Sequence, residues 1–172
     1  STVLGDFDNA SFTQYGVTSV FYKQGGRFFV KTEGESGELQ EFEIGYAFGF
    51  YPLQQYLIDF SVGSQQALSI AWDSRPAEEG GQKWFHLYPD EKISSSDVLH
   101  WTKPSQNWNT MCAECHSMNL QKNYNVDNAT FDTTWTDIDV SCESCHGPGS
   151  NHVNWAKRVT GWNSMQESLG LL

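Results

Sequence analysis

Two short stretches of the 172-residue chain carry residue types and spacings that can do chemistry: Cys112-Ala113-Glu114-Cys115-His116 and Cys142-Glu143-Ser144-Cys145-His146. Together they use all four cysteines and two of the five histidines. Cys-x-x-Cys-His is the attachment pattern for c-type haem, in which two thiols add across the porphyrin vinyl groups and the adjacent imidazole becomes the proximal iron ligand. The spacing has a physical reason. On a helical turn, residues three apart share a face and the next residue projects toward the same side, so both thioethers hold the porphyrin edge while the imidazole reaches iron. The pattern therefore predicts two covalently attached haems, with Cys112, Cys115, Cys142 and Cys145 as anchors and His116 and His146 as proximal ligands.

Three other chemistries use cysteine pairs. A thioredoxin-like site needs a βαβ setting, which this acidic, loop-rich stretch does not offer. Two disulfides explain neither histidine. A zinc site is the serious rival, because 142 − 115 − 1 = 26 residues separate the pairs, only somewhat beyond ribbon spacing. With histidine at 5 of 172 positions, roughly one chance in a thousand places it after both pairs, which favours haem over zinc.

The remaining histidines, His86, His100 and His152, are the candidates for the distal positions. His152 stands six residues beyond His146, and six extended residues reach at most about 20 Å, too short to round the porphyrin edge and return to its opposite face. His152 is therefore expected on the first haem, opposite His116. That leaves His100, in a polar connection, or His86, in an alternating strand, for the second. Met111 and Met118 are tied to the proximal side of the first haem, Met165 is a weaker candidate, and packing is the usual role of methionine. The acid-rich run Asp127 to Asp139 lacks EF-hand spacing and reads as a solvated loop. Trp101, Trp108, Trp135 and Trp155 lie around the two motifs, where large aromatics fill a core or pack on porphyrin.

The elements that must position these residues differ along the chain. From Gly16 to Asp73 apolar residues alternate. Val17 to Lys23 and Arg27 to Thr32, joined through Gln24-Gly25-Gly26, predict a hairpin with a glycine turn. Leu39 to Gly45, Tyr56 to Phe60, Ala67 to Trp72 and Trp84 to Tyr88 predict further strands between turn signals. After about Asp90 the alternation fades, and short helices are expected around Met111 to Gln121, Val140 to His146 and His152 to Val159, the second ended by Gly147-Pro148-Gly149-Ser150. The expected fold class is α+β: an antiparallel β meander or small sandwich over residues 1–90, then a loop-rich region over 91–172 whose short helices carry two c-type haems, the two packed as one unit.

Composition narrows the partners. The formal charge is −11 from 10 basic and 21 acidic residues, which argues against a phosphate backbone as partner. A basic redox protein is the expected partner, reached faster at low ionic strength. Aromatics are 15% and charged residues 18%, the opposite of a disordered composition. No apolar run approaches the roughly 18 residues of a membrane-spanning helix. Ser1-Thr2-Val3-Leu4-Gly5-Asp6 carries no signal-peptide pattern. Covalent haem attachment takes place outside the bacterial inner membrane, so a periplasmic or extracellular location is expected.

The chain resembles a family of bacterial multihaem c-type cytochromes, some of whose members carry tetratricopeptide repeats after the haem region. The matching stretches are Val3 to Ala10, Pro52 to Leu57, Trp84 to Ile93, Asn107 to Leu120 and Val140 to Val153 with its Cys-His-Gly-Pro-Gly-Ser-Asn-His core. The resemblance implies electron carriage through closely spaced haems that often have two histidine ligands. Family members carry further Cys-x-x-Cys-His motifs on both flanks, and neither flank is present here. The resemblance thus implies a segment of a larger protein, with additional haem-bearing segments as redox partners. Electron transfer without substrate turnover is the expected function. The competing expectation is a haem enzyme or gas sensor with one five-coordinate iron acting on a small nitrogen compound.

Overall fold

A computed structural model describes residues 2–169. Eight strands form one antiparallel sheet: β1 (Asp8–Gln14), β2 (Val17–Gln24), β3 (Arg27–Glu33), β4 (Leu39–Phe48), β5 (Leu53–Asp59), β6 (Gln65–Ala67), β7 (Ile70–Asp73) and β8 (Lys83–His86). Their order is β1-β2-β3-β4-β5-β7-β8, with β6 paired to β5. β8 returns beside β1, so the sheet is nearly closed and barrel-like. The expected hairpin is present, with Gln24 opposite Arg27 and Gly25 and Gly26 at φ 58° and 81°, the left-handed pair that a tight two-residue turn requires. β1 is a strand that sequence alternation did not reveal. It pairs with β2 across a register shift between Asp8 and Ala10, and such a shift bends and twists a strand.

Closure creates an interior. Phe7, Phe21, Val30, Tyr56, Ile58, Leu68, Trp84 and Trp101 pack into one core. Phe21 of β2 stacks on Trp84 of β8 with ring centroids 3.6 Å apart, a contact between strands far apart in the sheet order. The outer face is also covered. Tyr56 and Ile58 of β5 point inward, whereas Leu57 joins a second cluster with Phe48, Ala67, Trp108 and Ala113. Consecutive strand residues face opposite sides, so β5 is buried on both. Trp101 ties the later segment to the sheet, its indole N–H donating to the Glu33 carbonyl at 2.8 Å.

These findings overturn the α+β expectation. The protein is mostly antiparallel β, a nearly closed sheet rather than a sandwich, and its later region is not a helical layer. Among the described residues the α-helices are α1 (Ala113–His116), α2 (Cys142–His146) and α3 (Ser150–Ala156), preceded by a π-helical turn over Trp108–Cys112. The helix expected from Met111 to Gln121 stops at Ser117, which turns extended (φ −147°, ψ 159°) while its hydroxyl donates to the Ala113 carbonyl. From Met118 the chain forms an irregular hairpin through bridges Met118↔Asp137, Gln121↔Thr134 and Asn125↔Thr130. Helices this short have no stability of their own, so they exist only where side chains and the sheet hold them.

Candidate functional site

The first motif is seated on the outer face of the sheet. Trp108 is fully buried and its ring lies 4.8 Å from Phe48 of β4 and 6.4 Å from Trp135. Asn107 caps the turn that follows, its Oδ1 accepting from the Thr110 N–H at 3.1 Å. Asn109, also fully buried, accepts from the Gln65 N–H at 2.8 Å and donates to the Gly63 carbonyl at 3.2 Å and the Thr133 hydroxyl at 2.8 Å. One side chain thus binds β6, the turn before it and the hairpin strand that follows. Sequence reasoning did not single out Asn109. The available signal was an Asn pair ahead of a helical turn, the residue type that caps helix starts.

This seat presents the motif outward. Ala113 is buried, Cys112 half-buried, and Cys115 and His116 exposed. The imidazole of His116 stands edge-on to Phe48 at 5.7 Å, with Trp108 at 6.2 Å. Burial pushes the Cys112 thiol above its ordinary pKa.

The second motif lies beside the first. α1 and α2 are in contact, and the Ser141 hydroxyl, which caps α2 reciprocally with Ser144, reaches the Met118 sulfur at 2.8 Å. Cys142 and His146 are exposed; the side chain of Cys145 lies outside the described residues. Gly147 ends α2 at φ 71°, and the Gly149 N–H donates to Glu143 Oε1 at 3.1 Å, folding the chain directly into α3. His152 is on α3, half-buried, with Nδ1 2.7 Å from the Leu169 carbonyl and its ring 5.5 Å from Trp155.

His86 and His100 are brought together elsewhere. Both line a cavity inside the barrel, and no residue of either Cys-x-x-Cys-His motif lines it. His100 Nδ1 pairs with the Thr102 hydroxyl at 2.8 Å, and its Nε2 stands 3.9 Å from Glu33 Oε1. Burial lowers the pKa of both imidazoles, and for His100 the Glu33 carboxylate opposes that shift while Lys103 adds to it.

The residues around the two motifs fit covalent haem. Cys112, Cys115 and Cys142 are free thiols. Among the described residues His116 has only ring contacts, which leaves its nitrogens open to iron. Among the described residues no three His, Cys, Asp or Glu side chains converge as a metal-binding group. Among the described residues no helix is long and apolar enough to cross a membrane.

Residues 77–147 match the family model described as cytochrome c554 and c-prime. The match supports a c-type cytochrome family. A cytochrome c family implies covalently bound c-type haem. The matched stretch runs from the loop before β8 through both motifs and ends one residue past His146, leaving β1 to β7 outside it. No curated protein and no solved structure matches the chain.

Proposed function

We propose that the chain is a dihaem electron-transfer module, part of a larger multihaem protein outside the cytoplasm, with Cys112, Cys115 and His116 holding one haem and Cys142, Cys145 and His146 the other. The observation that carries this reading is the juxtaposition of two Cys-x-x-Cys-His turns on contacting helices, with His116 and His146 both exposed. The haem irons would supply one-electron chemistry by cycling between ferric and ferrous. What the chain contributes is placement. The sheet with Trp108 and Asn109 fixes the first turn, and the Ser141–Met118 contact holds the second against it. Residues 1–90 and 91–172 act as one unit in this reading, because Trp101 and Trp108 anchor the later region on both faces of the sheet.

For the distal position opposite His116 the proposal is His152, on α3, which follows α2 through the Gly147–Gly149 turn. His86 and His100 line the barrel interior, and a histidine from another segment of the larger protein is proposed to complete the haem of His146, so that both haems are six-coordinate in that protein. The acidic chain favours a basic redox partner, whose electron-transfer rate should fall as salt screens the encounter.

The test is spectroscopy of the protein matured where haem is attached. Two haems per chain, Soret and α bands, and low-spin ferrous spectra unchanged by carbon monoxide are expected. His152→Ala should turn one haem high-spin and leave the other. A colourless protein holding zinc refutes the haem reading. Carbon monoxide binding to the unmutated protein would favour an enzyme or sensor of small nitrogen compounds instead, and two unaltered low-spin haems in His152→Ala would remove His152 as ligand.

A further inference from the structure

His152 differs from the other two spare histidines in how its ring proton is placed. Its Nδ1 stands 2.7 Å from the Leu169 carbonyl oxygen. A carbonyl only accepts, so Nδ1 carries the proton and donates it. Nε2 then holds the free lone pair, and among the described residues it has no hydrogen-bond partner. His86 gives no such answer, because its Nδ1 lies within reach of both the N–H and the carbonyl of Tyr88, at 3.0 and 3.2 Å. The Nδ1 of His100 faces the Thr102 hydroxyl, which can donate or accept, and the Thr102 N–H at 3.4 Å.

The chain after α3 builds the His152 bond. Gly161, at φ 88°, leads into a single 3₁₀ turn over Trp162–Met165, which packs back on α3. Trp155 shares a helix face with His152, its ring 5.5 Å from the imidazole, and its indole N–H donates to Gln166 Oε1 at 3.0 Å. That bond ties the residues after the turn to α3. Leu169 then sits at φ 54°, in the left-handed region, which a leucine occupies only at a cost. In that conformation its carbonyl meets His152. Backbone held in a costly conformation is a feature of functional sites. A metal-ligating histidine commonly donates its other ring N–H to a backbone carbonyl, which fixes the ring and its tautomer and raises the basicity of the ligating nitrogen.

We propose that Leu169 is a positioning residue for His152. Its left-handed main chain holds the imidazole as the Nδ1–H tautomer, makes Nε2 the atom that ligates iron, and through the hydrogen bond lowers the potential of the haem so ligated. This rests on His152 being an iron ligand. The carbonyl carries the role, and the side chain of Leu169, 45% exposed, does not.

Two substitutions remove the same side chain and treat the backbone in opposite ways. Leu169→Gly adopts a positive φ freely and keeps the carbonyl in place. Leu169→Pro cannot, because its ring locks φ near about −65°. Both are compared with the unmutated full chain carrying its haems, by spectroelectrochemical titration of each haem and by NMR of His152 Nδ1–H exchange in the reduced, diamagnetic protein. The unmutated protein and Leu169→Gly should share a slowly exchanging Nδ1–H and the same potentials. Leu169→Pro should exchange that proton at least about tenfold faster and raise the potential of one haem alone. Unchanged exchange or unchanged potentials in Leu169→Pro overturns the proposal, as does Leu169→Gly behaving like Leu169→Pro. Fast exchange in the unmutated protein overturns it without any variant. The two readings fail separately: if His152→Ala leaves the haem spin states unaltered, the ligand assignment falls and this proposal with it, whereas a high-spin haem in His152→Ala beside an unaffected Leu169→Pro removes only the role of the carbonyl.

Discussion

Replacing Asn109 by Ala isolates what holds the first Cys-x-x-Cys-His turn on the sheet. The side chain is fully buried and makes three bonds of 3.2 Å or less beside a longer one accepted from Asn107 Nδ2 at 3.4 Å: it accepts from Gln65 N–H at 2.8 Å, and donates to the Gly63 carbonyl at 3.2 Å and to Thr133 Oγ1 at 2.8 Å. At about 1 kcal/mol net for each bond, the deletion costs about 3 kcal/mol, and the Gln65 N–H left buried without a partner pushes the cost upward. Asn109→Asp keeps the bond from Gln65 but turns both donors into acceptors, and it buries a charge, so it should be at least as costly as the Ala variant. Thr133→Val removes two bonds, the one accepted from Asn109 and the one donated to the Lys122 carbonyl at 3.0 Å, and should cost about 2 kcal/mol. Urea unfolding followed by far-ultraviolet circular dichroism measures all three, with unchanged slopes as the condition for comparing midpoints. An Asn109→Ala protein within about 0.5 kcal/mol of wild type would refute the argument, because surface substitutions alone cost that little.

Trp108 is fully buried with its indole N–H unpaired, so Trp108→Phe removes an unpaired donor as well as apolar surface. It should cost well under the about 3–5 kcal/mol expected of Trp108→Ala; equal losses in thermal unfolding would contradict this. Gly63 sits at φ 72°, where a Cβ would run into the Phe131 carbonyl oxygen, and Gly63→Ala should cost about 2 kcal/mol or more, read as a lowered urea midpoint. The pH dependence follows from three depressed pKa values. His86 and His100, ordinarily near 6.5, are lowered by burial, and Asp73, ordinarily near 3.8, is lowered first by its hydrogen bond from Arg75. Each contributes stability that is complete above its ordinary value and lost as pH falls through its depressed one. Unfolding free energy should therefore begin to decline below about pH 6.5 and decline further below about 3.8; His100→Gln should weaken the first decline, and an identical profile in that variant would count against it.

The sequence by itself pointed to the chemistry proposed for this chain. Two Cys-x-x-Cys-His runs are local patterns, complete within five residues each, and attachment chemistry needs no distant partner to be recognised. It also determined the β2–β3 hairpin, since Gly25-Gly26 between alternating segments specifies a turn and its register together. Tertiary structure decided the rest. The extent of α1 is set by Ser117 and by the hairpin from Met118 to Asp137, and a four-residue helix has no periodicity to read. The fold class depended on closure of the sheet, which brings Trp84 of β8 onto Phe21 of β2, a long-range contact that leaves no local signature. The double burial of β5 depended on Trp108 covering its outer face. The fate of the spare histidines is likewise non-local: His86 and His100 meet only because β8 and the segment before Trp101 converge on one interior space, and sequence spacing carries no information about which cavity two side chains share.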